Sequence, residues 1–293
     1  MLIQQDNNSS ITSYQAPLQR LASADVVVDA RQPVLALQVG SHLDPGIKRK
    51  HRPNEDSIFV THSFMTSPSA SPKPFVLLMV ADGMGGQARG QEASQLAVQS
   101  LVEYVSGSLR SKQMTSEAFL PLLVEGVQYA NRVVYQRNQE QRADMGTTMT
   151  ATLVVDTTAY VAHVGDSRFY LFRESGGLSQ ITQDHSLVAA LVAAGAIQPE
   201  DIYTHPMRNL IYRCLGEKST VEVDTHAVPL AAGDILLLCS DGLWEMVRDQ
   251  QIAAILTTPM PGPSGTAQAL VQAALAGGGA DNVSAIVVQV SKV

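Results

Sequence analysis

Cysteine is almost missing from this 293-residue chain: Cys214 and Cys239 form neither a CxxC pair nor a spaced framework. A disulfide-stapled scaffold and a thiolate metal site are both disfavoured, and the two thiols read as small buried hydrophobes in a reducing compartment. Long apolar runs are lacking too, the longest candidate being the short Ala/Gly-rich stretch from Leu187 to Ile197, against the roughly 18 residues a membrane span needs. No basic segment followed by an apolar one opens the sequence, so no export signal is read and a soluble cytoplasmic protein without membrane contact is expected. Basic charge is in deficit, with 20 Lys and Arg against 27 Asp and Glu and a formal net charge of −7. That balance offers no face for a nucleic-acid backbone, and part of the acidic excess can serve a site that expects cations.

What is present is ordinary globular material, 45% hydrophobic and 16% charged. Residues 1–31, rich in Gln, Asn, Ser and Ala, read as a poorly ordered arm with one short strand at Asp25 to Val28. Residues 32–293 read as one domain. Short β-branched or apolar runs mark strands at VLALQVG, DSIFV, FVLLMVA, TMTATLVV, AYVAHVG, FYLFR, VEVDTHAV, DILLLCS and VSAIVVQV. A surface loop is expected over Met65 to Pro74 and a hairpin turn at Glu174 to Gly177. Apolar residues recur at helical spacing from Ala93 to Val105 and from Phe119 to Val134. Further helices are expected at His185 to Gly195, Pro199 to Tyr203, Asp249 to Leu256 and Thr266 to Ala276. Strands in runs and helices in pairs fit an α+β sandwich of antiparallel sheets better than an alternating parallel sheet.

Three apolar strands end on an aspartate: FVLLMVA on Asp82, AYVAHVG on Asp166 after one glycine, DILLLCS on Asp241. Asp281-Asn282 precedes the final strand and Glu55-Asp56 another. Carboxylates gathered at strand edges repel one another, so their convergence is tolerable only with cations. Hard oxygen donors select Mg²⁺ or Mn²⁺, and the scarcity of Cys and of patterned His argues against a closed zinc site. Asp-Gly is also a hairpin turn, so Asp82-Gly83 and Asp241-Gly242 could merely reverse the chain. Yet Asp82-Gly83-Met84-Gly85-Gly86 is too glycine-rich for that and leads into a helical pattern; close approach of backbone to a ligand explains the glycines better. Neither GxxxxGK[ST] nor GxGxxG occurs there, which weakens a nucleotide-binding alternative. Lys48 to Arg52 is a basic island directly before Asn54-Glu55-Asp56, where one arginine can bond two phosphoryl oxygens.

Asn54-Glu55-Asp56, DGMGG at 82 to 86, MGTT at 145 to 148, GDSR at 165 to 168, SDGLW at 240 to 244 and GADN at 279 to 282 stand in one order. In that order the sequence resembles bacterial PP2C (PPM) phosphatases from about Val34 to Val290. The resemblance implies a four-layer α-β-β-α sandwich of two mainly antiparallel sheets flanked by helices. It also implies two Mn²⁺ or Mg²⁺ ions, with a weaker third in many members. Asp82 is implied to bridge both metals with the Gly83 carbonyl on one, Asp241 and Asp281 to hold the other, Glu55 and Asp56 to order metal-bound water, and Asp166 to hold the third ion. The implied reaction is hydrolysis of phosphoserine and phosphothreonine in proteins by metal-bridged hydroxide attacking phosphorus in line, without a phosphoenzyme. Asp184-His185-Ser186 opens a segment, at about 184–215, similar to the family's flap. Thr147 and Thr148 are expected to support the sheet. Expected partners are phosphorylated proteins, a serine/threonine kinase or its targets among them, and a monomer is expected.

The chain departs from the family pattern twice. The phosphate-binding arginine of many relatives has two candidate counterparts, Arg49 by its spacing from Gly46 and Arg52 by its nearness to Glu55. The histidine often found beside or after the DG motif is replaced by Met84 and Gln87, leaving the general acid unassigned. A catalytically dead binding module and a small-metabolite phosphohydrolase remain the competing readings.

Overall fold

Successive side chains of a strand point to opposite faces, and a strand buried on both faces must serve two cores. Strand β3 (Ala70–Met84) does so: Leu77, Met79 and Ala81 enter one apolar cluster while Val76, Leu78 and Val80 enter another. The computed structural model describes residues 35–67, 70–85, 89–111 and 114–293; the arm at 1–31 with its Asp25 to Val28 strand, and Gly86 and Gln87, lie outside the described residues.

One sheet runs in the order β1-β11-β10-β7-β8, from β1 (Leu35–Asp44), β7 (Arg168–Arg173), β8 (Gly177–Gln180), β10 (Ile235–Cys239) and β11 (Val283–Lys292). The other runs β2-β3-β5-β6-β9, from β2 (Asp56–Ser67), β3, β5 (Met149–Val155), β6 (Thr158–Val164) and β9 (Asp224–Pro229), with the short β4 (Gly146–Thr147) on the end of β3. Every pairing among them is antiparallel.

Three apolar clusters separate four layers. Helices α1 (Arg89–Ser111) and α2 (Phe119–Gln141) cover the second sheet through Leu101, Leu123 and Val127 against Leu77, Met79 and Leu153. Val76, Leu78 and Val161 meet Leu236, Leu238 and Ile286 between the sheets. Beyond the short α3 (Leu187–Ala193) along the chain, Leu237, Ala285 and Val287 pack against α5 (Asp249–Thr257) and α6 (Gly262–Ala276). The α+β, α-β-β-α sandwich expected from the sequence is the fold found. The hairpin at Glu174 to Gly177 also forms, as β7 paired with β8.

The loop expected over Met65 to Pro74 is a correction. Strand β2 continues to Ser67 and β3 begins at Ala70, with Phe64 opposite Pro74 and Met65 opposite Lys73. Pro74 is tolerated because β5 joins β3 only from Phe75 onward, so no second ladder there needs its missing N–H.

Antiparallel order also fixes where the acidic positions go. The start of β2 lies beside the end of β3, the end of β6 beside the start of β5, and the start of β7 beside the end of β10, which adjoins the start of β11. Every strand edge that the sequence tips with an aspartate therefore falls at the same end of the sandwich.

Candidate active site

Asp56 and Asp82 stand directly opposite each other in the β2/β3 register. Asp241 opens the short helix α4 (Asp241–Trp244) right after β10, Asp166 lies in the β6–β7 connection, and Asp281 precedes β11. A cleft of about 640 Å³ collects Glu55, Asp82, Gly83, Asp166, Asp241 and Asp281, with Arg49 and Arg52 on its wall. Asp56 lies beneath, buried against the sheets.

Asp82 and Glu55 are held through the backbone. Thr148 N and Thr147 Oγ1 donate to Asp82 O at 2.8 and 2.9 Å, and Asp82 N donates to Thr148 Oγ1 at 2.8 Å. Both threonines thus support the sheet end, as expected. Glu55 N donates to Asn282 Oδ1 and Asn282 Nδ2 to Pro45 O, both at 2.8 Å, joining three distant segments through one amide side chain. Neither Asp-Gly pair is a hairpin turn: Asp82-Gly83 lies within β3, and Asp241-Gly242 starts a helix. Close packing also requires their glycines. A Cβ on Gly83 would stand 1.9 Å from Gly90 O, and one on Gly242 2.0 Å from Asn282 O, so these glycines let main chain pack on main chain.

The electrostatics are those of crowded acids. Burial, and then the charges of Asp56 and Asp241, hold the Asp82 carboxyl well above its ordinary range. Asp241 is likewise raised by burial and by Asp166 and Asp281. Asp166 is pushed up to about 7 by burial and the neighbouring Asp184. Asp56 is raised to about 6 by burial, although Ser284 and Ser240 donate to its Oδ2 at 2.5 and 2.7 Å. Burial also raises Asp281 against the lowering pull of Arg49.

Two buried oxygens, Asp56 Oδ1 and Asp241 Oδ1, have no hydrogen-bond partner. Unsatisfied buried carboxylate oxygens in an all-oxygen donor set are what a hard divalent cation coordinates. The donors are not drawn into a closed sphere, since among the described residues no three or more His, Cys, Asp or Glu side chains stand ready to hold an ion. Arg49 supplies positive charge instead, its Nη1 lying 2.8 Å from Asp281 Oδ1 and 3.0 Å from Glu55 Oε2. The donor set therefore fits a metal pair in chemistry and location.

The structure separates the two arginines that spacing left level. Arg49 is half-buried among the carboxylates, while Arg52 is exposed on the cleft wall, its backbone N–H bonded to Arg49 O at 2.8 Å. Met84 lines the cleft where a histidine was sought. Burial pushes the Cys214 thiol up to about 11 and Cys239 higher still, and neither lines the described cleft.

Sequence reading missed several supports. Glu245, four residues after Asp241, adds repulsion to Asp241 and Asp166, and an i, i+4 acidic pair was the signal that could have found it. Trp244 Nε1 donates to Asp166 O at 3.0 Å, and the buried Arg168 guanidinium lies 3.7 Å over the same indole while pairing with Asp184 at 2.7 Å. Ser240 and Ser284 carry no local mark of their bond to Asp56.

Comparison with known proteins gives concordant results. The profile of the family described as protein phosphatase 2C matches residues 48–277. The serine/threonine phosphatase stp of Listeria monocytogenes serotype 4b (strain F2365) is 37% identical over 215 residues, 73% of this chain and 84% of that protein. The catalytic domain of the serine threonine protein phosphatase PstP, crystallised in complex with two manganese ions, superposes with a TM-score of 0.73 at 35% identity, covering 88% of this chain and 100% of that one. The serine/threonine phosphatase of S. agalactiae gives a TM-score of 0.76 at 31% identity over 87% of this chain and 99% of that one.

Proposed function

The chain belongs to the protein phosphatase 2C family, and from that premise we propose that it hydrolyses phosphoserine and phosphothreonine in proteins with two Mn²⁺ or Mg²⁺ ions held in the acidic cleft. The observation that carries this reading is the gathering of Asp56, Asp82, Asp166, Asp241 and Asp281 at one end of the sandwich, with two of their buried oxygens unpartnered. We assign Asp82, the Gly83 carbonyl, Asp241 and Asp281 to the metal pair, Glu55 and Asp56 to the water around it, and Asp166 to a weaker third ion. When bound, two divalent ions lower the pKa of water and neutralise charge on a phosphoryl group.

The chain's own side chains do the rest. Arg49 is assigned to the substrate phosphoryl oxygens, because its guanidinium already stands at the carboxylates; released from Glu55 and Asp281 by cations, it can bond two oxygens at once. Arg52, exposed on the wall three residues on, is assigned to the approach of the phosphate. No Cys, His or Ser is among the described residues lining the cleft, and the Thr148 hydroxyl is engaged by Asp82 N–H. With the cleft carboxylates assigned to the ions, direct attack by water without a phosphoenzyme, as membership of the family implies, is the proposed route.

We further assign residues 32–293 to the catalytic domain and about 184–215 to a flap, from which Asn209 and Ile211 reach the cleft wall. A serine/threonine kinase or its targets are the proposed phosphoproteins. A monomer in the cytoplasm is proposed as well. No described helix is long and apolar enough to cross a membrane.

The test is phosphate release from a panel of phosphoserine and phosphothreonine peptides while Mn²⁺ or Mg²⁺ is titrated. Release that requires the ion and prefers phosphopeptides over phosphorylated metabolites is expected. Inertness toward every peptide at saturating Mn²⁺ would overturn the reading.

A further inference from the structure

His185 is buried at the root of the 184–215 segment and makes contacts to two separate pieces of backbone. On one side it grips Gly165 twice: His185 N donates to Gly165 O at 2.8 Å, and Gly165 N donates to His185 Nδ1 at 2.9 Å. On the other, His185 O accepts from Tyr212 N at 2.9 Å, the ring packs on Tyr212 with centroids 5.9 Å apart, and Leu187 N donates to Leu210 O at 2.8 Å. Residues 210–212 include Ile211, which lines the cleft, and Gly165 is followed directly by Asp166.

Because Nδ1 accepts the Gly165 N–H, the proton of the neutral ring belongs on Nε2. Nε2 faces Asp224 Oδ2 at 3.2 Å, while Arg213 Nη1, 2.9 Å from the same nitrogen, donates to Asp224 Oδ1 at 2.7 Å. The Gly165 N–H thus sets the tautomer, Asp224 Oδ2 accepts from Nε2, and Arg213 Nη1, spent on Asp224 Oδ1, does not donate to the protonated Nε2 beside it. His163, 4.9 Å away between centroids and held by Thr150 Oγ1 and Gln183 O, closes off a further side of the ring. Gly165 itself has little room to shift, since its φ is +108° and a Cβ there would stand 2.5 Å from Thr148 Cγ2. Trp244 holds the next carbonyl.

We propose that His185 is a positioning residue, tying the return arm of the flap to the Gly165–Asp166 backbone through its acceptor nitrogen so that the two move as one. It touches no reacting atom. Its role is to set where the Asp166 carboxylate stands when the flap engages a phosphoprotein, and this consequence for catalysis rests on the reading of Asp166 as part of the cation site.

Two substitutions separate the functions of the ring. His185→Asn places an amide oxygen where Nδ1 stands and loses the reach to Asp224; His185→Gln reaches Asp224 and leaves Gly165 N–H without its acceptor. In the cation-free full-length chain, amide exchange at Gly165 is expected to stay near wild type in His185→Asn. In His185→Gln it should quicken about tenfold or more, the scale of one lost buried hydrogen bond. With Mn²⁺ added, His185→Gln is expected to need about tenfold more ion for half-maximal phosphopeptide turnover, and His185→Asn to follow wild type. Equal exchange and equal ion demand in the two variants would overturn the proposal, because a purely structural ring would lower the melting temperature of both and split neither. Should a variant fail to fold, nitrogen NMR of the wild-type imidazole decides: an unprotonated Nδ1 coupled to Gly165 N–H is expected, and a protonated Nδ1 overturns it. A wild-type protein that binds Mn²⁺ but releases no phosphate would reject the phosphatase reading while the exchange data still judge His185.

Discussion

Replacing Asp241 by asparagine should make the cation-free protein more stable while removing its activity. A carboxyl whose folded pKa lies above its unfolded value holds its proton more firmly in the native state, so acid favours folding and a rise of pH through the folded pKa removes that contribution. Asp56 and Asp166 stand at about 6 and about 7 against an ordinary 3.8, and Asp241 is raised as well. The cation-free wild type should therefore lose stability between about pH 4 and 7, by about 1.4 kcal/mol for every tenfold gain in a carboxyl's proton affinity on folding. The groups share one repulsion, so their contributions do not add. Deleting one charge from the cluster is expected to recover about 1–3 kcal/mol at pH 8, the range for a buried polar group lacking its partner, or about 2–4 °C in Tm per kcal/mol for a domain approaching this size. The gain should vanish toward pH 4, where the wild-type carboxyls are protonated. Mn²⁺ at 100 times its Kd should add about 2.7 kcal/mol to the wild type and far less to D241N, whose turnover should fall at least about a hundredfold. Thermal melts at pH 4 and 8 with EDTA or Mn²⁺, paired with phosphopeptide kinetics, measure all of this. A D241N protein less stable than wild type at pH 8 without ions, or equally stabilised by Mn²⁺, would refute the reasoning.

Other outcomes follow from single contacts. Arg49→Lys keeps the charge and loses the planar fork, so kcat/KM on phosphopeptides should drop about tenfold or more, with a smaller effect from Arg52→Lys; equal effects would undo the assignment. Asp184→Ala leaves the buried Arg168 uncompensated and should cost about 3–5 kcal/mol in denaturant unfolding. Gly83→Ala forces a methyl to within 1.9 Å of Gly90 O and should destabilise by about 3 kcal/mol or more; a variant with wild-type Tm would show that the segment yields freely. Burial drives His163 down to about 3, so its contribution to stability is complete above about pH 6.5 and fades as pH falls toward 3. An NMR titration should find it neutral at pH 5, and a midpoint near 6.5 would contradict its burial.

Much of this was legible because the signals were local. The run from Phe75 to Ala81 announced a strand, and an aspartate at the tip of three strands announced a shared edge once the strands were antiparallel. The family motifs then supplied a role for each acid. What escaped notice depends on partners far along the chain. Asn282 reaches Pro45 and Glu55, and Ser284 reaches Asp56, across separations that leave no mark in either neighbourhood. Composition misled at Met65 to Pro74, where Pro and Ser suggested a loop although a two-stranded ladder tolerates them. The packing role of Gly83 stayed hidden, since a contact between two main chains and a contact with a ligand ask for the same residue.

The position of β11 has a consequence for biosynthesis. This strand is inserted between β1 and β10, and the residues just before it bring Asp281 and Asn282 to the cleft. A growing polypeptide that has already made β1 through β10 still has β1 without a neighbour in its sheet, Glu55 without its amide partner and the acidic pocket short of a wall. The acidic cleft is therefore complete only once β11 has slid between β1 and β10, and a chain clipped ahead of Asp281 lacks one of the acids that line it.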